Sequence, residues 1–546
     1  MENKYFHSVI LKPERCIGCT YCLRVCPTEA IRLKNKKASI IAQRCIDCGE
    51  CIRICPNHAK SAITDNIEDI KGKFKYNVAL VLPVLYGQFD TIYSPDKILS
   101  AIKYLGFDDV YDISQGAEII GAIAEDIIKN HSTKPVISSS CPAILRLIQV
   151  RFPELIPNIL DIETPTEISA RIIKNRISKE KSLDIKDIGI TLITPCTARV
   201  TSIKNPIGVE HSFIDSSISI KDIYVPILKV LSSGNVNETK HSMPTLNAMP
   251  TLNGIICNNS DDFSMFSSYR KSLSVNGIHN AISILEEIEL GRLNNLSFIE
   301  IAACPGGCLG GPLVVENRYI ALNNIKNIAK KLKNHVIDKS NINNYFEMYN
   351  NGSIRLVKSI EPRSVTRLDL DIKKSIKKLN LIQNILDKLP GINCGICGSP
   401  TCQAFAEDFV TGNRSDYICP VQEIERKKGL KEKNNMIVKD IMDRLNLKLA
   451  AGESGLKKEV KDVYTCDLLS WVMAHADAKS AWVTIQTHVN IVAVAVLLDL
   501  SCIIIPENAE ISDETKNKAD DESIPLLISD ENAYKICYEL HQELIR

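Results

Sequence analysis

At 546 residues the chain is too long for one hydrophobic core and long enough for three to five domains. Its 24% charged and 45% hydrophobic residues are those of an ordered globular protein, which excludes a disordered or low-complexity chain. The formal net charge of +1 gives no global attraction to nucleic acid or to a membrane surface, so neither is expected as a partner. No apolar segment follows Met1-Glu2-Asn3-Lys4, so no secretory signal is expected. The longest apolar run, Ile491 to Ile505, contains Asp499 and is too short to span a bilayer; it reads as a buried helix followed by a strand. The chain holds twenty cysteines, most of them tightly clustered. That pattern suits metal or cluster ligation in a reducing, anaerobic cytoplasm better than a disulfide scaffold.

Two runs near the N-terminus repeat one spacing. Cys16, Cys19, Cys22 and Cys26 are followed by Pro27; Cys45, Cys48, Cys51 and Cys55 are followed by Pro56. This C-x2-C-x2-C-x3-C-P pattern holds [4Fe-4S] cubes in bacterial two-cluster ferredoxins, which the segment resembles. Three close thiolates reach three corners of one cube and the fourth reaches across to the other. Cys26 is therefore expected to serve the second cube and Cys55 the first. Gly18 and Gly49 are expected to let the backbone pass close to the sulfides. Zinc knuckles are the alternative, and they call for two separated C-x2-C pairs. Eleven Lys/Arg against five Asp/Glu in residues 1–60 give +6 before any cluster is counted. Anionic cubes offset much of that charge, and the remainder can steer an acidic electron-transfer partner.

From Tyr76 to about Met348, short apolar runs alternate with helical patterns, which predicts parallel α/β layers. Asn77–Val84 reads as a strand. Ser94-Pro95 supplies an N-cap and a first-turn proline for a helix that stops near Gly106. Val110–Ile113, Pro135–Ser139, Ile188–Thr194 and Phe298–Ala302 read as further strands, with a helix at Ala117–Ile128. Cys141, Cys196 and Cys304 fall at the C-terminal tips of three strands, and Cys308 follows four residues after Cys304. In open α/β sheets, ligands gather beyond the carboxyl ends of strands. Four thiols converging there would hold one more cube; for any one of them alone, a buried structural thiol is the alternative.

The stretches SSSCPAILRLIQVRFPEL, TPCTAR and ACPGGC, in that order, resemble the three signature segments of the [FeFe]-hydrogenase catalytic domain. The resemblance implies an H-cluster, a cube joined through one thiolate to a diiron subsite with CO and CN⁻ ligands. Carried over residue by residue, Cys141, Cys196 and Cys304 would hold the cube and Cys308 would bridge it to the diiron subsite. Backbone groups around Pro83, Gly306 and Gly307 would face the diatomic ligands. The plainer alternative is a fourth cube with no diiron subsite.

The departures from that family carry information of their own. Catalytic members have a cysteine just before the first ligand, where this chain has Ser140, a far weaker acid. The relay serine falls on Leu160, and the two relay glutamates fall on Ala124 and Ile127, with Glu125 as a neighbouring substitute. The lysine that grips a cyanide is Arg199, and the methionine two residues before the second ligand is Thr194. Proton transfer by a well-placed group contributes about 10²–10⁴-fold in rate, so losing it predicts slow turnover. The pattern resembles the sensory branch of the family. Residues 200–256 read as less regular, and the repeat MPTLNAMPTLN (243–253) as a polar surface insertion, followed by a buried thiol at Cys257.

A helix predicted at Lys373–Lys388 leads to Cys394, Cys397 and Cys402, and a second at Gln403–Thr411 carries the chain to Cys419. This C-x2-C-x4-C-x16-C pattern resembles the small [4Fe-4S] domain of corrinoid iron–sulfur proteins, with a zinc site as the alternative. The run from Glu423 to Asn435 reads as an exposed charged helix or linker. Beyond it the elements read as helix 436–446, strand Ala481–Thr487, helix Asn490–Leu498, strand Cys502–Ile505, helix 513–522, strand Ile524–Ile528 and a last helix from Glu531. AAGESGL, DLLSWVMAHA, AWVTIQTHVNIVAVAVLL and IPLLIS resemble DRTGG domains, a family with regulatory roles, although the name-giving motif is absent. Thr484, Gln486, Thr487, His488 and Asn490 gather at a strand end and helix start; they would bind an anion there or simply cap the helix. Cys466, Cys502 and Cys537 lack cluster spacing and are expected to be buried apolar thiols.

The expected architecture is thus a multidomain α/β chain. Residues 1–65 form a ferredoxin-like α+β domain with two [4Fe-4S] clusters, and 75–365 an [FeFe]-hydrogenase-type α/β domain with the H-cluster. Residues 373–425 form a small helical four-cysteine [4Fe-4S] domain, and 436–546 an α/β DRTGG-like regulatory domain. The expected function is a low-turnover, hydrogen- or redox-sensing hydrogenase. It acts on H₂ and protons and passes electrons through its cubes to a redox or signalling protein partner. The alternatives are an electron-transfer polyferredoxin without the diiron subsite and a working ferredoxin-linked hydrogenase.

Overall fold

The computed structural model describes residues 5–234, 271–331, 341–363, 368, 371–414, 418–429 and 436–545. The repeat at 243–253, Cys257 and the end of the run to Asn435 lie outside the described residues. The chain divides into two compact units, Met1–Tyr417 and Ile418–Arg546.

At the start of the first unit, β1 (Val9–Leu11) pairs antiparallel with β4 (Lys60–Ala62), and β2 (Ile31–Lys34) forms a hairpin with β3 (Lys37–Ile40). Two one-turn helices, Tyr21–Arg24 and Glu50–Arg53, each follow a residue with left-handed backbone, Thr20 and Gly49. The fold is therefore doubled, as the cysteine motif is. Leu23, Ile31 and Ala38 form its small core, which the side chains of Cys16, Cys22, Cys26 and Cys51 complete.

Two parallel sheets follow. The first has the order β6 (Asp109–Asp112), β5 (Tyr76–Val81), β8 (Ile188–Thr194), β9 (Ser216–Ser219). Its central strands are apolar at nearly every position, because both faces are covered. Ala79, Val81 and Ile193 pack against the helices Pro95–Tyr104, Ile220–Ser232 and Arg318–Lys331. Val78, Leu80, Ile190 and Leu192 pack against Pro165–Lys181 on the other side. The second sheet has the order β10 (Ser272–Asn276), β11 (Phe298–Ala302), β7 (Val136–Ile137). It is sandwiched between Pro142–Arg151 with Ile278–Glu289 and Ser114–Asn130.

The strand expected over Asn77–Val84 stops at Val81, because Pro83 opens a 3-10 turn, Pro83–Gln88. The helix expected after Ser94 begins there, with Ser94 Oγ accepting from the Lys97 amide. β9 and β10 were not anticipated. Their serine-rich sequences, SSIS and SLSVN, lack an apolar run.

The second unit is a five-stranded sheet of order β12 (Lys448–Ala451), β16 (Leu526–Ile528), β15 (Cys502–Ile505), β14 (Ser480–Val483), β13 (Asp462–Thr465). Only β12 runs antiparallel. The apolar run from Ile491 forms the helix Asn490–Leu497, which buries Ile491, Val492, Val494 and Ala495 in one core and leaves Val496 and Leu497 exposed, and then β15, buried between separate cores on the two faces. Cys502 is fully buried on β15, but Cys466 and Cys537 are only half-buried, at the margins of the two layers. Among the described residues no helix is long and apolar enough to cross a membrane.

Candidate metal centre

In the N-terminal fold the cysteines line two cavities. Cys16, Cys19, Cys22 and Cys55 surround one; Cys26, Cys45, Cys48 and Cys51 surround the other. The two runs thus exchange their last members. The exchanged sulfurs are held alike, since Cys26 Sγ accepts from the Ala30 amide and Cys55 Sγ from the Ala59 amide, both at 3.2 Å. The described cysteines form no disulfide. Gly18 is needed because a Cβ there would lie 2.6 Å from the Lys36 carbonyl oxygen.

Burial pushes the Cys22 thiol up to about 11 and that of Cys51 up to about 12, while Lys60 pulls both back. Lys60 is 3% exposed, and its ammonium nitrogen has no hydrogen-bond partner. A buried cation without a counter-ion is costly. Anionic clusters in the cavity that it lines and beside Cys51 in the other would supply the missing charge, so the residues present fit such groups. Sulfur spacing points the same way. Among the described residues the one His/Cys/Asp/Glu trio with ligand atoms within 4.8 Å of each other is His7, Cys45 and Asp47. A tetrahedral zinc ion would draw its sulfurs to about 4 Å apart, given a Zn–S bond near 2.3 Å. The cysteine sets are spread wider than one ion would hold them.

Cys141 and Cys196 directly precede the helices Pro142–Arg151 and Thr197–Lys204. Cys304 follows β11, and Cys308 lies in the turn Gly307–Gly310. Cys196 leaves the first sheet and Cys141 and Cys304 the second, so the site forms where the two sheets' carboxyl ends meet. Burial raises the thiols of Cys196, Cys304 and Cys308, the last to about 11, and the neighbouring thiols of the set add to the rise. Arg199 opposes the rise at Cys196 and Cys308, and Arg53 does so at Cys304. Buried thiols of this kind stay protonated until a metal displaces the proton.

Arg199 is buried. Its guanidinium donates to Thr166 Oγ1 at 3.2 Å and to the Ser140 carbonyl at 3.5 Å, and it hydrogen-bonds the Cys308 thiol. The Ser140 hydroxyl accepts from Ser138 Oγ at 3.1 Å. Pro83 opens the turn that packs on Gly307–Gly310. Gly306 and Gly307 both have positive φ, and the Gly307 amide is committed to the Cys304 carbonyl at 3.1 Å.

Arg53 ties this site to the second N-terminal cavity. It donates to the Cys48 carbonyl at 3.4 Å, to the Gly310 carbonyl at 3.0 Å and to Cys304 Sγ at 3.6 Å. Asp47 reinforces the junction: its carboxylate accepts from the Ser8 amide at 3.0 Å and from Thr201 Oγ1 at 2.9 Å. On the far side, Leu33, which lines the Cys16 cavity, donates its amide to Gly398 at 2.8 Å. Arg24 donates to the Cys394 carbonyl at 2.9 Å, and Arg32 pairs with Asp408. The order in space is therefore the central four, the Cys45 cavity, the Cys16 cavity and the loop carrying Cys394, Cys397 and Cys402. Cys419 belongs to the second unit.

Residues 75–229 and 230–312 match the family model for the iron only hydrogenase large subunit, C-terminal domain. Residues 8–56 match a 4Fe-4S dicluster domain, and residues 389–421 a domain described by an Fe-S cluster. The chain is an iron–sulfur protein related to the [FeFe]-hydrogenases. Iron hydrogenase 1 of Clostridium pasteurianum is 24% identical over 257 residues, 39% of this chain and 44% of that one. The periplasmic [Fe] hydrogenase large subunit of Nitratidesulfovibrio vulgaris is 28% identical over 216 residues, 35% of this chain and 50% of that one. The cytosolic Fe-S cluster assembly factor NAR1 of Candida dubliniensis is 29% identical over 135 residues, 24% of this chain and 23% of that one. The chain spans about half the length of the hydrogenases it matches. Among solved structures, an [FeFe]-hydrogenase from Chlamydomonas reinhardtii gives a TM-score of 0.42 at 16% identity, covering 55% of this chain and 98% of that one.

In this hydrogenase-related domain, the three residues expected at the family's relay positions are core residues. Ala124, Ile127 and Leu160 are buried in one apolar cluster. Glu125, the suggested substitute, is exposed on the opposite side of its helix and does not face that cluster. In the second unit the polar residues around Thr484 satisfy one another. Thr484 Oγ1 donates to Asp467 at 2.8 Å, and His488 Nδ1 accepts from the Asn490 amide at 3.3 Å. Sequence patterns did not reveal Lys60, Arg53 or Asp47. The position of Lys60 five residues after Cys55 was the only available signal, and it is not a motif.

Proposed function

We propose that Cys141, Cys196, Cys304 and Cys308 hold an H-cluster, and that the protein is a cytoplasmic, low-turnover, hydrogen- or redox-sensing member of the [FeFe]-hydrogenase family. When bound, the diiron subsite supplies the reversible chemistry H₂ ⇌ 2 H⁺ + 2 e⁻. The observation that carries the reading is the gathering of Cys141, Cys196 and Cys308 about the buried Arg199, with Cys304 held by Arg53, together with Ala124, Ile127 and Leu160 at the expected relay positions. Cys141, Cys196 and Cys304 would hold the cube, and Cys308, hydrogen-bonded to Arg199, would bridge to the diiron subsite. Arg199 places a fixed positive charge there, and Ser140 leaves no acidic hydrogen of thiol strength beside it. Pro83, Gly306 and Gly307 shape the wall.

The two ferredoxin-like cavities and the Cys394 loop would hold three further [4Fe-4S] clusters in line. Electrons would leave along that line towards a redox or signalling protein, and the second unit, read as DRTGG-like, would convey the state. Infrared spectroscopy on protein matured with the hydrogenase assembly enzymes tests this. Bands of bound CO and CN⁻ are expected, together with slow dye-linked turnover. Matured protein without those bands would remove the hydrogen chemistry.

A second reading is an iron–sulfur protein without the diiron subsite. The match to an assembly factor over the same kind of sequence favours it. Iron counting separates the two: four cubes carry about 16 irons, and a diiron subsite adds about two.

A further inference from the structure

Behind Arg199 lies a small cavity of about 40 Å³, which Pro142, the residue after Cys141, also lines. Ser139, Glu163, Thr164, Thr166, Glu167, Arg199 and Ser202 bring the polar groups to its wall, and the rest is apolar. A water molecule needs roughly 10–15 Å³ of such space, so a short file of waters fits. Glu163 stands just before the N-cap of the helix Pro165–Lys181, with a side chain 3% exposed. One of its carboxylate oxygens, Oε1, pairs with Arg171. The other, Oε2, is buried without a hydrogen-bond partner, and so is the Arg171 Nε. The pair is half made. A structural ion pair in a dry interior would close both contacts.

Glu167, one turn further along, accepts from Ser212 Oγ at 2.6 Å and from the Phe213 amide at 3.0 Å. Ser212 leads to the exposed His211. The row thus runs from the Cys308 thiol through Arg199 to the cavity, then to the two carboxyls and out to solvent. The charged groups facing Glu163 are Arg171 and Glu167 on its own helix and, across the cavity, Arg199. Arg355, on the strand-like segment beside it, is engaged with Asp161 at 2.7 Å.

We propose that the Glu163–Glu167 pair is a buried proton store for the central cysteine site, exchanging protons with water in the cavity behind Arg199. The inference rests on the reading of that site as a redox centre. When a one-electron reductant loads the site through the flanking clusters, added negative charge beyond Arg199 favours a neutral carboxyl. Glu163 then takes one proton from hydronium in the cavity, forming one O–H bond and leaving one water. Oxidation returns the proton to water. One electron is matched by one proton, and no other bond changes. A buried carboxylate with one oxygen unpartnered is poorly solvated when charged and comfortable when protonated. Consistently, burial pushes the Glu163 carboxyl up to about 7 against the pull of Arg171, and burial raises Glu167 as well.

Redox-difference infrared spectroscopy on the full cluster-loaded chain, reduced with dithionite at neutral pH, tests the proposal. The wild type is expected to gain a protonated-carboxyl band on reduction, shifted in deuterated buffer. Glu163→Gln is expected to lose it, and Glu163→Asp to keep it at a displaced frequency. No carboxyl band in the wild type, or one that survives in Glu163→Gln, would overturn the proposal. Cys304→Ser separates the two layers of inference. Loss of iron together with loss of the band supports the coupling, and loss of iron with the band intact overturns it. Unchanged iron content instead overturns the reading of the cysteine site, while the Glu163→Gln comparison still judges the carboxyl itself.

Discussion

Lys60 lines the Cys16 cavity from a buried position, and its fixed charge acts on Cys22 there and on Cys51 of the other set. Hydrogen bonds and charges near cluster sulfurs set the reduction potential. Lys60→Met keeps the length of the side chain and removes the charge, so both N-terminal centres should become harder to reduce. Spectroelectrochemical titration would show two midpoints displaced to lower potential; an unmoved pair would show that solvent already screens the ammonium. Glu163 makes a claim of opposite kind, about stability. Its carboxyl stands at about 7 in the folded chain against an ordinary value of 4.5. Between those values the unfolded chain releases the proton and the folded chain keeps it, so stability falls as pH rises through that window. At 1.36 kcal/mol per pH unit the full loss above about pH 7 is about 3 kcal/mol. Glu163→Gln should flatten that slope, whatever constant offset the lost Arg171 contact introduces. Unfolding midpoints at pH 5 and pH 8 check it, and parallel slopes in the two proteins would refute the assignment.

Gly49 shows how one loop element locks two domains. Its φ is +76°, and a Cβ built there would lie 2.4 Å from Cγ of Pro312, next to the central turn. Gly72 has a φ of +78° with nothing within 4 Å, so it isolates the backbone effect. Gly49→Ala should therefore lose about 2 kcal/mol more than Gly72→Ala, the usual size of an overpacking effect. Electron transfer from the N-terminal clusters to the central site should slow with it. Equal losses in the two variants would show that the loop moves aside freely. This contact also marks where the sequence stopped being legible. The cysteines that line the two N-terminal cavities could be read because they recur at one close spacing, and β8 and β11 could be read because buried parallel strands are apolar runs. Asp47, Arg53 and Pro312 meet across hundreds of residues, and no local period encodes such a meeting. β9 and β10 escaped because serine filled strand positions that apolar residues normally mark. The resemblance put the relay positions at Ala124, Ile127 and Leu160, but only coordinates show that these three are one apolar cluster and that Glu125 faces solvent.

At the scale of the molecule, the two units differ in what holds them together. The second has an apolar core on each face of its sheet, built around Trp482, Ile503 and Leu526 on one side and Ala481, Val483 and Ile504 on the other. The N-terminal part of the first has a core of Leu23, Ile31 and Ala38 plus cysteine side chains. Domains of some sixty residues are marginal without a metal or disulfide framework, and no described cysteine is in a disulfide. The clusters must then do the work of the missing core. Calorimetry on the full chain should show two transitions. Stripping iron anaerobically with a chelator should lower the first by about 10 °C or more, since a loss of a few kcal/mol moves a domain of a few hundred residues by roughly 2–4 °C per kcal/mol. The second transition should stay where it is, because its two apolar cores are built around Trp482 and Val483 and hold no cysteine assigned to a cluster. A single transition that moves as a whole would mean that the two units unfold together, and a first transition indifferent to iron would mean that the cysteines are packed for their own sake rather than for clusters.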